Sequence, residues 1–185
     1  MKAYPSLQTN RLTLNQPQIA DIPVLIDLLG DPQIAATTAS IPHPYYEKDA
    51  IHFLNRSYKS WEQGTAYIFA IRDQQQQYIG GIGLHLQKAS EKAEIGYWIG
   101  VPYWNKGYAT EATQAILKFG FEELKLNKIF ASHMLDNPAS GKVLIHNQMI
   151  QEAILKDEFK KNGVFKTLVQ YRLTVAEYQA LSMTS

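Results

Sequence analysis

The stretch Tyr97-Trp98-Ile99-Gly100-Val101-Pro102-Tyr103-Trp104-Asn105-Lys106-Gly107-Tyr108-Ala109-Thr110-Glu111-Ala112 decides the reading of this chain. It begins apolar and aromatic, as the end of a buried strand does. Pro102 and the polar run Asn105-Lys106-Gly107 interrupt it, and a helical pattern follows. Ala109, Ala112, Thr113, Ile116, Leu117, Gly120, Phe121 and Leu124 recur at helical spacing and form one inner stripe. A strand therefore passes through a short loop into an amphipathic helix. Gly107 lets the backbone come close to a ligand and take φ above zero. The free amides from Lys106 to Thr110 point out of the helix start, at the positive end of its dipole, and suit a phosphate group. A plain strand–turn–helix opened by glycine would carry the same residues, so both readings stand at this point.

Outward from this segment the pattern is mixed. Residues 66–72, 78–86 and 93–101 read as three strands of an antiparallel meander, joined by Asp73-Gln74-Gln75-Gln76-Gln77 and a turn around Ser90. Residues 8–14 alternate as a further strand, with Leu12 and Leu14 on one face. A helix is predicted over 18–30 from Ile19, Ile22, Leu25, Ile26 and Leu29, with Gly30 as its stop. A second, over 47–63, is expected to bury Ala50, Phe53, Leu54, Tyr58 and Trp61. Between them Ile41-Pro42-His43-Pro44-Tyr45-Tyr46 is irregular, because two prolines remove donors and bias their predecessors to extended shapes. Downstream come a strand over 128–133 and a short helix over 138–147. A hairpin of 150–159 and 165–173 follows, turned at Asn162-Gly163, and then a helical tail over 175–181. No repeat or linker divides the 185 residues, so one domain is expected.

Apolar residues make up 45% of the chain, enough for a sizeable core. Lys and Arg total 18 against 17 Asp and Glu, a net charge of +1. A protein held on phosphates shows a clear basic excess, so no nucleic-acid partner is expected. Cysteine is absent, which excludes disulfides, a thiol nucleophile and thiolate metal sites. The histidines, His43, His52, His85, His133 and His146, form no i,i+4 pair, and no metal is expected. Residues 1–8 lack the apolar core of a signal peptide, and no run approaches the roughly 18 apolar residues of a membrane span. The expectation is a soluble, cytoplasmic protein, monomer or homodimer, with no membrane partner. Gly81-Ile82-Gly83-Leu84-His85-Leu86 lacks the third glycine of a dinucleotide fingerprint. Lys106-Gly107 reverses the P-loop order, and Ala139-Ser140-Gly141 lacks the leading glycine of a nucleophile elbow.

Trp104-Asn105-Lys106-Gly107-Tyr108-Ala109 resembles the pyrophosphate loop of the GNAT superfamily of acetyl-CoA-dependent N-acetyltransferases: Arg, Gln or Trp, two variable residues, Gly, one variable residue, then Gly or Ala. The similar branch is that of the ribosomal-protein-alanine acetyltransferases, the RimJ/RimL type. Thr9-Asn10-Arg11-Leu12-Thr13-Leu14 is similar to that branch's first strand. Pro42-His43-Pro44-Tyr45 and Ala50 resemble its substrate-side loop, and Glu94-Ile95-Gly96-Tyr97-Trp98-Ile99 its fourth strand. Asp136-Asn137-Pro138-Ala139-Ser140 resembles its Asn-x-x-Ser, and Asn162-Gly163-Val164-Phe165 its last hairpin. The ordered set covers residues 7–178. Three departures are present. Asn105 stands at a common Gly, His146-Asn147-Gln148-Met149 at a usual Lys-x-Gly followed by Phe or Met, and Ala153 at another common Gly.

The resemblance implies an α/β (α+β) fold: a mixed, mostly antiparallel sheet of about six to seven strands, splayed at its centre and flanked by about four helices. It implies acetyl-CoA as cofactor, with the pantetheine arm along Trp98, Ile99, Gly100 and Val101 and the pyrophosphate on Lys106, Gly107, Tyr108, Ala109 and Thr110. Asn137 would hydrogen-bond the arm, and Ser140 would protonate the leaving thiolate. Glu94 would be the base, acting through water, and His43, Tyr45 and Tyr46 would line the acceptor groove. The acceptor is expected to be a protein N-terminus, with a small-molecule amine as the alternative and a catalytically silent acyl-CoA-binding domain as a third reading. Glu111 is assigned to the helix dipole and His85 to structure.

Overall fold

Ala66–Arg72 is rich in β-branched and aromatic residues, and it forms an inner strand of a sheet that organises everything else. In the computed structural model, which describes residues 3–183, eight strands make one sheet in the order β1-β2-β3-β4-β5-β6-β8-β7. Met1 and Lys2 of the N-terminal segment read above lie outside the described residues. The strands are β1 (Leu7–Gln8), β2 (Thr13–Asn15), β3 (Ala66–Arg72), β4 (Tyr78–Gln87), β5 (Lys92–Ile99), β6 (Lys128–Met134), β7 (Ile150–Lys161) and β8 (Val164–Thr174). The helices are α1 (Ile22–Leu29), α2 (Pro32–Thr37), α3 (Glu47–Glu62), α4 (Tyr108–Lys118), α5 (Pro138–His146) and α6 (Val175–Ser182). All neighbouring strands are antiparallel except β5 and β6, which are parallel.

The class is the one expected, with more elements than the sequence suggested, and the extra ones have local causes. The alternating run 8–14 breaks in two because Thr9 closes a turn. Its N–H donates to the Leu12 carbonyl and its hydroxyl accepts from the Leu12 N–H, both at 2.9 Å. β1 thus folds back on β2. Gly30 does not stop α1 in a left-handed cap; it stays right-handed at φ −67. Asp31 then accepts from the Gln33 N–H, and Pro32 opens α2 at its first position. Ile19 lies in a 3-10 turn before α1 and is 80% exposed. On α3 the buried positions are Ala50 and Ser57, while Tyr58 is largely exposed with its ring edge against Trp61. The hairpin turn matches expectation: Asn162 and Gly163 both have positive φ, 48° and 83°, as a type I′ turn requires.

Two apolar cores flank the sheet. On one face α4 buries Ala112, Ile116 and Leu117 against Leu14, Phe69, Leu84, Ile95 and Ile129. Each fully buried Leu or Ile of this kind contributes about 1.5–3 kcal/mol. On the other face Leu25, Leu28, Ile34, Tyr45 and Ala50 pack with Ala70 and Tyr78. Alternation along β5 divides its side chains between them: Ala93, Ile95 and Ile99 enter the α4 core, and Trp98 the second.

β5 and β6 are paired only over Lys92–Ile95 and Lys128–Ala131. Beyond that, β5 follows β4 to Ile99 and β6 follows β8 to Met134. The sheet is split at its centre.

Candidate active site

In a ladder, alternate residues turn their backbone groups to the same neighbour. The Gly100 N–H donates to the Ile79 carbonyl at 2.9 Å, on the β4 side, so Trp98 also faces β4 and Tyr97 and Ile99 face the gap. The Ile99 carbonyl accepts from the Trp104 indole at 2.6 Å. The remaining backbone groups of Tyr97 and Ile99 form an open strand edge, and the loop after it delivers the start of α4. Gly107 has φ +77 there and makes no side-chain cap to α4, so the first amides of that helix point outward without an internal acceptor. Asn105, at the common Gly position, has φ +60, a conformation asparagine tolerates better than other residues with a Cβ.

The open edge, the helix start and α5 border one cleft of about 1660 Å³. Of the sequence-predicted residues, Trp98, Ile99, Lys106, Gly107, Tyr108, Ala109, Thr110, Asn137 and Ser140 line it. Two cofactor candidates fall outside. Gly100 faces Leu28, whose Cδ2 lies 2.9 Å from where a Cβ would stand, and Val101 begins a 3-10 turn and packs on the second core. The strand ends at Ile99, before either residue.

The three acceptor-side candidates also lie outside the lining. His43 is exposed, in a segment whose His43–Pro44 bond is cis. Tyr45 is buried in the second core, its hydroxyl pushed up to about 12 by burial and by Asp49, with Arg56 opposing. Tyr46 precedes α3, donates its N–H to Asp49 Oδ2 at 2.8 Å and is exposed. On the α2 side the cleft is lined by Ile34 and Thr37 of that helix and by Thr38 just after it.

That wall is tied down from afar. Lys161, at the end of β7, donates to the carbonyls of Ala35 and Thr38, and Asn137 Nδ2 donates to the Thr37 carbonyl at 3.1 Å. These carbonyls at the end of α2 lack partners within the helix, which is why distant donors are used. Asn137 also caps α5, accepting from the Ser140 N–H.

Glu94 stands on the Trp98 face of β5, opposite His85 of β4, and does not line the cleft. Burial raises its carboxyl above the ordinary 4.5, and among the described residues it has no ion pair. His85 offers no compensation, because burial and then Arg56 lower its own pKa. Ser140 Oγ lies 2.8 Å from the Tyr97 hydroxyl, which also donates to the Ser140 carbonyl at 2.9 Å. Burial pushes Tyr97 up to about 12, with the hydrogen bond to Ser140 opposing, so its hydroxyl stays protonated at neutral pH. Tyr97 also lines the cleft; its odd position on β5, next to the open edge, is the sequence signal for it. Glu111 does more than complement the dipole of its helix: its carboxylate accepts hydrogen bonds from Thr9 and Arg11.

A family model described as an acetyltransferase (GNAT) domain matches residues 11–150, and the chain belongs to that family. It is 30% identical over 176 residues to the uncharacterised N-acetyltransferase p20 of Bacillus licheniformis, covering 94% of this chain and 98% of that one. It is 29% identical over 111 residues to the ribosomal-protein-serine acetyltransferase of Escherichia coli, covering 60% and 62%. That relative accords with the RimJ/RimL-like branch. The structure of spermidine N-acetyltransferase from Vibrio cholerae, in complex with CoA and spermine, matches with a TM-score of 0.80 at 21% identity, covering 92% and 99%. The protein is an acetyl-CoA-dependent N-acetyltransferase. No described helix is long and apolar enough to cross a membrane.

Proposed function

We propose that the chain, as one domain, transfers acetyl to the N-terminal α-amine of a protein, such as a ribosomal protein, by direct attack of the amine. The cleft's composition carries this reading. The carboxylates in its lining, Glu111, Glu122 and Glu123, belong to α4 and the turn after it, and Glu111 is paired with Arg11. The α2 wall offers Ile34, Thr37 and Thr38, with the Lys161 cation against it. A polyamine carries several positive charges and needs carboxylates along its path; this wall has a cation. The ribosomal-protein relative supports the same choice, while the spermidine enzyme shares the fold.

The residues present fit acetyl-CoA: an open strand edge, an uncapped helix start and a left-handed Gly107 share one cleft. When bound, it supplies an acetyl group already activated as a thioester. The amides of Lys106, Gly107, Tyr108, Ala109 and Thr110 hold the pyrophosphate. The N–H groups of Tyr97 and Ile99 serve the pantetheine arm and the acetyl carbonyl, where negative charge develops. Asn137 orients the arm. Ser140, fixed by the Tyr97 hydroxyl, gives a proton to the departing sulfur. A peptide α-amine of pKa about 7.8 is roughly one-seventh neutral at pH 7, whereas a lysine amine near 10.4 is neutral on the order of once in a thousand or fewer. A modest base therefore suffices for an α-amine, and Glu94 takes that proton through water.

The test is a screen of N-terminal peptides, polyamines, amino acids and aminoglycosides with acetyl-CoA, following thiol release and product mass. Peptides with free α-amines should turn over, and their α-acetylated forms should not. Faster turnover of spermidine than of every peptide would assign the small-amine function instead.

A further inference from the structure

The Thr9-Asn10-Arg11 turn has no part in the reaction so far, yet it reaches the anion loop from about a hundred positions away in the chain. Arg11 Nε donates to Glu111 Oε2 at 2.7 Å, and its Nη1 to the Lys106 carbonyl at 2.9 Å. The Arg11 N–H and the Thr9 hydroxyl both donate to Glu111 Oε1, at 2.8 and 2.6 Å. The guanidinium lies 4.9 Å over the Tyr108 ring, and its Nη2 is 3.4 Å from where a Cβ on Gly107 would stand. Nη2 makes no hydrogen bond among the described residues. The Arg11 side chain is 45% exposed, the Glu111 side chain 16%. One fork therefore grips both ends of the loop, its Lys106 carbonyl and its first-turn carboxylate, and leaves a donor edge at the glycine.

The electrostatics explain why such a grip is needed. A carboxylate in the first turn stabilises an isolated helix but repels an anion arriving at the same amides. Glu111 is in that position. Burial favours its protonated form, but the bonds from Thr9 and from Arg11 outweigh it and hold the carboxyl below its usual range. It is ionised at neutral pH and faces the same site as the phosphates. Arg11 cancels that charge, and its planar fork fixes the geometry as a lysine would not.

Resting on the reading that this loop takes the pyrophosphate, we propose that Arg11 is a positioning residue for CoA: it neutralises Glu111, holds the Lys106-Gly107-Tyr108 backbone in its receiving shape and presents Nη2 to the phosphates. The proposal separates Arg11 from a residue that only supports the fold, because its effect must follow the phosphates and not the rest of the ligand.

The experiment titrates the full-length wild type, Arg11→Gln, and the Arg11→Gln/Glu111→Gln double variant with CoA by calorimetry. The same proteins are titrated with pantetheine, which lacks the pyrophosphate, by ligand-observed NMR. Arg11→Gln should weaken CoA by about tenfold or more, as for a lost charge-assisted contact, and change pantetheine by less than about twofold. The double variant should recover part of the CoA loss, because the bare carboxylate is gone. An Arg11→Gln protein that binds CoA within twofold of wild type overturns the proposal. So does equal weakening of both ligands, or a double variant no better than the single. If Arg11→Gln does not fold, Arg11→Lys carries the comparison, with CoA weakened and pantetheine unchanged as the expected result and both unchanged as the contrary one. A wild type that itself prefers pantetheine to CoA, or binds neither, overturns the phosphate-loop reading, and that is seen before any variant is made.

Discussion

On the α4 side of the cleft, the strand edge and the helix start come from one short stretch of chain, Tyr97 to Ile99 and Tyr103 to Thr110, with Arg11 and Glu111 beside them. On the α2 side, the lining comes from Ile34, Thr37 and Thr38, held by Asn137 and by Lys161 across 126 positions of chain. A backbone site needs only a strand end, a glycine and a helix start, all written consecutively. A side-chain wall needs segments that meet only after the sheet has closed.

The largest effect should come from Gly107→Glu, which strikes the backbone wall directly. A Cβ at φ +77 is strained, and the new carboxylate competes for Arg11 and repels phosphate. CoA affinity should fall on the order of 100-fold or more by calorimetry while circular dichroism keeps the fold. Retained affinity would remove the helix start from the site.

Glu94→Gln tests the base. The substitution keeps shape but cannot accept a proton, so kcat should drop about 10²-fold or more. The sign of the pH dependence is fixed by burial. The raised pKa leaves more Glu94 protonated at a given acidic pH, so activity should decline with falling pH from above the ordinary carboxylate value of 4.5. The variant should lose that acid limb. Wild-type kcat from pH 6 to 9 would assign the proton to another group.

Ser140 and Asn137 sharpen the division between chemistry and binding. Ser140→Ala should lower kcat by about tenfold to a hundredfold with little change in CoA affinity, since only a transition-state contact is lost. Asn137→Ala should do the reverse. An unchanged kcat in Ser140→Ala would leave the hydroxyl as part of the α5 start alone.

Lys161→Met probes the distant tie. Two carbonyls at the end of α2 lose their donor, and the unfolding free energy should fall by about 1–2 kcal/mol in a denaturant titration. CoA affinity should stay within about twofold. A large CoA loss would mean that the two walls are not independent. The smallest effect belongs to Gln148, which holds φ +59 where the family commonly has glycine. Gln148→Gly should add up to about 1 kcal/mol of stability, because glycine takes the left-handed conformation without strain. A loss of stability would show that the glutamine side chain contributes more than its backbone costs.

The central segment, the meander, the α4 stripe and the Asn162-Gly163 turn were legible from residue order, because each is fixed by neighbours within one turn or one strand pair. Of the residues the resemblance singles out, Trp98, Ile99, the loop residues, Asn137 and Ser140 border one cleft. Residue order does not show a partner that lies far along the chain. The resemblance puts Tyr45 at a groove wall, and the second core buries it. Gly100 and Val101 continue an apolar run, yet the strand leaves the gap at Ile99. Glu111 reads as a helix-start carboxylate until β1 and β2 bring Arg11 beside it. Hydrophobic period and turn chemistry are local quantities and survive in the sequence. Which carboxylate meets which cation, and which carbonyl receives Lys161, depends on loop closures of about a hundred residues, and the packing of the finished sheet decides them.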